Sequence, residues 1–470
     1  MTELVATLER PLPAALPAGT ATAVFCIGVC SHPRQRVADL RIAVDGTSHA
    51  PSAFRMPRPD QPVTDSGFWG TVAIPAHAAD TTVSVGVQAT LDDGATVTAP
   101  LAKIEIVAPG ATTTAPATAG QIAVCMATFE PDPALFEAQL SSLRAQQDAD
   151  WICVISDDCS APERYAEIER AVGDDPRFVL SRSEVRLGFY RNFERALSLA
   201  PTGAGLLALC DQDDRWRPDK LATLRAALAG DPRAILAYSD MRLVEHDGTV
   251  LRDTLWRGRR NNYDSLASML VANTITGAAT LFRRSLLDLL LPFPDTPGYQ
   301  FHDHWLGIAA LAAGEIAYVD RPLYDYVQHP GAVFGDVTHG APRHRERTPG
   351  RARAAYFHGY LARAAQAATV LARAGDRIDP RKRRALKRFI ACDSSPAALA
   401  WLAARPARAL AGRTETLASE SELAYGVLWK QLATTARGTP LERLGPFADT
   451  SVPPPQRFTQ KRLRRWRASI

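Results

Sequence analysis

The spacing of apolar and polar positions divides the chain into three regimes. Between residues 21 and 107, short β-rich runs alternate with turn chemistry: ATAVFCIGV, LRIAVDGTSH, GFWGTVAIP, TTVSVGVQATLDDGATV and LAKIEIV. Strands of this length, broken by DGT and DDG, predict an antiparallel β-sandwich. The stretch APGATTTAPATAG (108–120) has no apolar periodicity to bury and reads as a linker. From 121 the period changes. QIAVCMATF and WICVISDD are continuous apolar runs of strand length, PALFEAQLSSLRAQQ and PERYAEIERAVG have helical spacing, and RFVLSRSE, NFERALSLA and GLLALCDQDD continue the alternation. Such alternation predicts an α/β domain over 121–337: a doubly wound, mostly parallel sheet covered on both faces by helices, with ligands at the carboxyl ends of its strands. After 338 the chain becomes rich in Arg and Ala, and RARAAYFHGYLARAAQAATVLARAG and DPRKRRALKRFIACD predict a helical C-terminal region over 338–470. It ends in a basic tail, QRFTQKRLRRWRASI, interleaved with Phe458, Leu463 and Trp466.

Composition adds limits to this picture. With 470 residues, 46% hydrophobic and 22% charged, the chain is too long for one core. A formal charge of +4 permits an anionic ligand but does not call for nucleic acid. Seven cysteines, without a CxxC pair or histidines at zinc-ligand spacing, predict reduced, buried thiols. The opening MTELVATLERPLPAALP lacks a basic region followed by an apolar one, and no apolar run long enough to span a bilayer follows. A cytoplasmic, non-spanning protein is expected.

Chemistry gathers at the strand ends. Asp211, Asp213 and Asp214 follow the apolar run Leu206 to Leu209. Carboxylates this close repel and raise one another's pKa unless a cation sits between them. Asp211 and Asp213, two apart in an extended segment, point the same way and suit Mg²⁺ or Mn²⁺, which keep positions open for phosphate oxygens. A solvated turn or helix cap is the competing reading, and the position at a strand end favours the ligand. Asp157 and Asp158 close another buried strand; Ser160 or Asp158 is expected to cap the helix starting near Pro162, which leaves one acceptor for the N3–H of a pyrimidine base.

The succession AVCMATFEP, VISDDCS, RLGFYRNFERAL, ALCDQDDRWRPDKL, TGAATLFRR, HDHW and YVQH resembles family-2 glycosyltransferases of the GT-A type, and most of all the rhamnosyltransferase-like branch of bacterial polysaccharide biosynthesis. The resemblance covers about residues 121 to 337, and DQDDRWRPDK together with DDCS is its strongest element. It implies that Thr128 and Glu130 border the nucleotide, with Asp157 on the base and Asp158 nearby. Gly188, Arg191 and Asn192 match the segment that closes over the nucleotide, while Arg186 stands where many relatives have Asn. Asp211 and Asp213 match the metal and diphosphate pair. Trp216 and Lys220 match the start of the following helix, where Lys220 reads either as a solvated helix residue or as a diphosphate contact. Gly277 falls in a segment that lines the donor-sugar pocket in relatives; on its own it reads as a close backbone approach or a bulge. Asp303 matches the base, with His302 and His304 placed to tune it or hold the acceptor, and a helix-capping Asp is the alternative. His329 could reach the metal or diphosphate, although Pro330 and Ala332 depart from the family pattern.

The resemblance implies inverting transfer from a nucleoside-diphosphate sugar, dTDP-rhamnose or a UDP-linked hexose, to a glycan or lipid-linked glycan hydroxyl, with Mg²⁺ or Mn²⁺ as cofactor. The basic tail reads as a peripheral contact with the inner membrane face or as a solubilising end. In the sandwich, Phe68 and Trp69 read either as a glycan platform or as a core pair. Two other classes stay open. A sugar nucleotidyltransferase would open with a Gly-rich, basic loop where this chain has ATFEPDP, and a non-catalytic binding scaffold would lack the acids at 213 and 303, both of which are present.

Overall fold

The computed structural model of the chain describes residues 4–58, 60–108, 118, 120–148, 150–256, 261–298, 300–329, 349–412 and 417–435. Most of the linker stretch, Pro330 and Ala332, and the basic tail with Phe458, Leu463 and Trp466 lie outside the described residues.

The middle of the chain folds around a nine-stranded sheet. Four parallel strands lie in the order Phe178–Arg182, Trp151–Asp157, Ile122–Thr128 and Leu206–Cys210. Their continuous apolar runs are explained by burial on both faces. The sheet is then mixed rather than mostly parallel. Thr280–Arg283 enters antiparallel between Leu206–Cys210 and Ala234–Glu245, directly after the short turn Gly277–Ala279, and an antiparallel strand needs no crossover helix. Glu315–Gln328 runs parallel to Ala234–Glu245 and carries Arg215–Trp216 on its other edge. The chain lays down Ile122–Thr128, moves outward through two strands on one side, then crosses to Leu206–Cys210 on the other. A crevice opens at such a reversal, outside the carboxyl ends of the two strands it separates.

Local chemistry fixes the flanking helices. Pro133–Arg144 starts at Asp132, whose carboxylate accepts from the Ala134 and Leu135 amides, with Pro133 supplying a φ suited to the first turn. It buries Leu135, Phe136, Leu140 and Leu143. All seven cysteines are free and six are buried. Burial pushes the thiols of Cys26, Cys30, Cys125 and Cys392 up to about 12, so these remain protonated packing groups.

Toward the N-terminus two sheets share one apolar core that includes Val24, Phe68 and Val72 from one and Leu40, Ile42 and Val85 from the other. The first consists of Val5–Leu8, Thr22–Ser31, Gly67–Ile74 and Ala53–Met56; the second of Ala15–Pro17, Thr96–Val107, Thr81–Leu91, Val37–Val44 and Thr47–His49. Two strands therefore precede residue 21. They are three or four residues long, too short for an alternating pattern to stand out.

Helices Ala362–Ala374, Pro380–Ala391, Pro396–Gly412 and Leu417–Thr435 follow the sheet, preceded by Pro349–Ala354 and a π-helical turn at Ala355–Leu361. They fill the space between the sheets. Phe25, Ile27 and Trp69, on the outer face of the first N-terminal sheet, belong to the same core as the nine-stranded sheet and these helices. Trp69 Nε1 donates to Tyr356 Oη at 3.0 Å and packs edge-on against Phe357. Arg373 joins three segments by donating to the carbonyls of Ala21, Leu289 and Pro292. Phe68 and Trp69 are fully buried, so neither is a glycan platform. Among the described residues no helix is long and apolar enough to cross a membrane.

Candidate active site

The crevice at the reversal is floored by a tightly bonded loop system. Asp157, at the end of its strand, is inaccessible to solvent. It accepts from Thr128 Oγ1 at 3.2 Å, Ser160 Oγ at 2.6 Å and the Ser160 amide at 2.9 Å. Its neighbour Asp158 accepts from the Leu187 and Gly188 amides at 2.6 and 2.9 Å and pairs with Arg186 at 2.8 Å. Gly188 sits at φ 80°, a left-handed conformation that favours glycine, and immediately precedes helix Phe189–Ser198. The two acids thus tie three strand-end loops together. Neither caps the next helix: Pro162–Val172 begins after Ala161 without a side-chain cap, and Glu130 takes the Ala161 amide instead.

Across the crevice lie Asp211, Gln212, Asp213 and Asp214. Gln212 accepts from the Phe129 amide at 2.8 Å and donates to the Phe129 carbonyl at 3.3 Å, bridging the two strand ends that flank the reversal. Asp213 Oδ2 meets His329 Nε2 at 2.8 Å, which joins residues 116 apart in sequence. Burial, reinforced by the charges of Asp213 and Asp303, pushes Asp211 up to about 7. Asp214 is more deeply buried and is raised for the same main reason. One of its oxygens accepts from the Val327 amide at 3.2 Å, and the other has no partner among the described residues. Its bond to Val327 steadies the strand end that presents His329.

Asp303 stands in the first turn of helix His302–Ala313, where Phe301 rather than Asp303 is the cap residue. Its carboxylate takes the His304 amide at 2.6 Å and a bond from Asn273, but burial dominates and raises it to about 7. A carboxyl group poised near neutrality can accept a proton from a hydroxyl at physiological pH. Asp211, Asp213, His329 and Asp303 are therefore drawn together from three separate segments. Carboxylates and imidazole are donor types that Mg²⁺ or Mn²⁺ accepts. Among the described residues no group of three or more His, Cys, Asp or Glu side chains is arranged to hold a metal ion.

Residues 123–291 match the family model described as Glycosyl transferase family 2. The matched residues include every acid described above at the strand ends except Asp303. Uncharacterized protein y4gI of Sinorhizobium fredii (strain NBRC 101917 / NGR234) is 32% identical over 129 residues, covering 27% of this chain. The match spans only 14% of that curated relative's length. Among solved structures, S. aureus TarS 1-349 in complex with UDP-GlcNAc is 15% identical with a TM-score of 0.42, covering 67% of this chain and 90% of that one. The mannosyltransferase PcManGT from Pyrobaculum calidifontis, in complex with GDP-Man and Mn²⁺, is 19% identical with a TM-score of 0.36, over 68% and 89% of the two chains.

Several of the candidate residues hold the strand-end loops together through bonds of their own. Asn192 is buried; its amide nitrogen donates to the carbonyls of Thr128 and Ser156 and its oxygen accepts from Ser156 Oγ, so it aligns two strand ends. Arg191 donates to Glu194 and to the Phe293 carbonyl. Glu130 is exposed and bonded to the Ala161 amide, and Asp157 accepts from Thr128 and Ser160. Lys220 is neither solvated nor at the crevice mouth. It is wholly buried, donates to the Ala278 carbonyl, and places its ammonium 3.3 Å from the Trp216 ring centre; burial pulls its pKa down to about 7. Lys220 thereby holds the turn that begins at Gly277. The close approach at Gly277 is to a side chain: a Cβ there would lie 2.5 Å from His302 Nε2.

The histidines beside Asp303 are also internal. His302 stacks on Phe193 and His304 Nε2 meets the Met269 carbonyl at 2.6 Å, and burial lowers both pKa values to about 3. Both rings are neutral packing groups. Sequence reasoning did not single out Gln212, Asn273 or the supporting role of Asp214. The middle position of DQDD was the available signal for Gln212; the other two depend on contacts between distant segments.

Proposed function

We propose that this chain is an inverting, divalent-metal-dependent glycosyltransferase that moves a rhamnosyl or hexosyl unit from a dTDP- or UDP-linked donor to a hydroxyl of a glycan or lipid-linked glycan in bacterial surface polysaccharide synthesis. The observation that carries this reading is the meeting of Asp213 with His329 at 2.8 Å beside Asp211 and Asp303, at the reversal of the sheet. The family 2 match over 123–291 supports the reaction class.

In this reading Asp211, Asp213 and His329 hold Mg²⁺ or Mn²⁺. When bound, the ion supplies positive charge that offsets the negative charge growing on the departing diphosphate. Asp303 accepts the proton of the attacking hydroxyl while that oxygen bonds to the anomeric carbon and the bond to the diphosphate breaks. One displacement inverts the centre and needs no covalent intermediate on the protein. Asp158 fixes the 186–188 loop, Gln212 fixes the 129 backbone, and Lys220 fixes the 277–279 turn, so the walls around the donor are held from behind. A peripheral membrane contact through the basic tail belongs to the same proposal, as does a cytoplasmic location.

The test is a thermal-shift and product-release screen of UDP-, dTDP- and GDP-sugars with and without Mn²⁺. Metal-dependent stabilisation by at least one donor, with slow release of its nucleoside diphosphate, is expected. Absence of both with every donor would end this reading.

A further inference from the structure

Helix Pro380–Ala391, PRKRRALKRFIA, carries six cations and no acid, more positive charge than the formal +4 of the whole chain. Its inner side is fixed. Leu386 and Phe389 are buried, and Tyr360 Oη lies 3.1 and 2.6 Å from the Phe389 and Ile390 carbonyls. Two of the cations are already engaged: Lys382 donates to the Gly314 carbonyl at 2.7 Å and to Glu315 at 3.0 Å, and Arg383 pairs with Asp376. The remaining four, Arg381, Arg384, Lys387 and Arg388, are exposed and form no ion pair among the described residues. With about 3.6 residues per turn they occupy roughly a third of the helix circumference, on the side opposite Leu386.

Local energetics work against this arrangement. Arg384 stands three or four positions from Arg381, Lys387 and Arg388, where like charges on a helix repel. Arg381 also lies in the first turn, at the end where the backbone dipole disfavours a cation. An anionic surface brought against this face relieves both terms. The face continues onto the next helix, Pro396–Gly412: Arg388 lies 5.8 Å from the ring centre of half-buried Trp401, and exposed Arg408 follows Trp401 two turns later. An indole with one wet and one covered side suits the headgroup layer of a bilayer. Residues 381 to 388 span only about 10 Å of helix, a short track along a nucleic acid, whereas a bilayer offers headgroups in two dimensions to every cation of the face.

We infer that the Arg381, Arg384, Lys387 and Arg388 face, with Trp401 at its margin, docks the folded body of the protein on an anionic phospholipid surface. This contact is separate from the basic tail and does not depend on which reaction the crevice carries out. Lys382 ties the helix to Gly314 and Glu315, where Glu315–Gln328 enters the nine-stranded sheet. Docking through it therefore sets one orientation of the body on the bilayer, which a tail alone does not.

The experiment is co-sedimentation of the full chain with sucrose-loaded vesicles of phosphatidylcholine, alone or mixed with phosphatidylglycerol. Binding is expected only with phosphatidylglycerol and should weaken as salt is added. Combining Arg381→Gln, Arg384→Gln, Lys387→Gln and Arg388→Gln should weaken it about 100-fold or more, with Tm unchanged or higher because repulsion within the helix is relieved. A matched control neutralises Arg36, Arg41, Arg170 and Arg233, each exposed beside an acid of its own, and should bind within about threefold of wild type, since charges far from the contact are screened. If the fourfold variant does not fold, Arg384→Gln with Arg388→Gln replaces it, and a loss of about tenfold or more is expected. Full binding by the helix variant overturns the inference and leaves the tail as the contact. Equal loss in the control overturns it in favour of overall charge, and equal affinity for phosphatidylcholine alone overturns its electrostatic basis. Failure to sediment with either vesicle overturns it as well; soluble polyphosphate bound by wild type and lost in the helix variant would then assign the face to a soluble polyanion.

Discussion

In the N-terminal sandwich Asp60 lies at the surface, where the Arg58 guanidinium holds its carboxyl well below the usual range, and Asp93 is held down by the Ala95 amide and Gln35. At the carboxyl edge of the nine-stranded sheet, Asp211, Asp214 and Asp303 are all raised, chiefly by burial. The residue type is the same and the physics is opposite. A surface acid with a basic neighbour gains little and risks little, because water screens the pair. An acid withdrawn from water beside other acids destabilises the fold as soon as it ionises, and such an arrangement is retained where a cation or a proton transfer needs it.

The contrast can be broken most severely at Asp303. Asp303→Asn keeps the shape and removes the base, so transfer should fall about 100- to 10,000-fold with donor binding by calorimetry unchanged. Near-normal turnover would remove Asp303 from the reaction. Next in size is Asp213→Ala. Loss of even an outer-shell partner lowers metal affinity about 10- to 100-fold, so Mn²⁺ titration should show at least that loss, together with disappearance of the donor-induced thermal shift. An unaltered Mn²⁺ affinity would place the ion elsewhere.

A pH series gives a smaller effect with a defined sign. Asp211 and Asp303 hold protons up to about pH 7 in the fold but only to about pH 4 when unfolded. Their contribution to stability is therefore complete below the lower value and is lost as pH rises through the upper one. Metal-free protein should show Tm declining between about pH 4 and 7, a decline that Asp211→Asn reduces and added Mn²⁺ offsets. A Tm rising over that interval in proportion to the state of these acids would contradict their burial. Transfer itself should increase as pH climbs through about 7, since Asp303 acts as the carboxylate. The smallest change is expected at the other pole of the comparison: Asp60→Ala should alter stability by less than about 1 kcal/mol and leave transfer intact.

These contrasts also mark how far the sequence could be read. Acids at the ends of continuous apolar runs were visible as a pattern, because a buried parallel strand announces itself and its carboxyl end is where ligands gather. Which acid does what was not visible. Asp157 and Asn192 look alike in sequence as polar residues near strand ends, yet one bonds Ser160 and the other the 128 and 156 carbonyls, contacts that exist only once the strands are in register. Lys220 reads as an ordinary helix residue because its Trp216 and Tyr324 neighbours surround it only after Glu315–Gln328 has paired with Arg215–Trp216. Thr280–Arg283 was hidden for a different reason: four residues after a tight turn give no periodicity from which to infer direction. Trp69 followed the rule that large aromatics are more often buried, but what buries it lies 287 residues further along the chain.

Arg373 has a practical consequence. One guanidinium holds Ala21, Leu289 and Pro292 by their carbonyls, and the strand bearing Phe25 and Ile27 lies against the same helix. Deleting the first hundred residues would strip an oily surface bare and take one of its three carbonyls from Arg373. The shortened chain should come out of solution as aggregate, which makes the N-terminal sheets a permanent wall of the protein and not a detachable accessory.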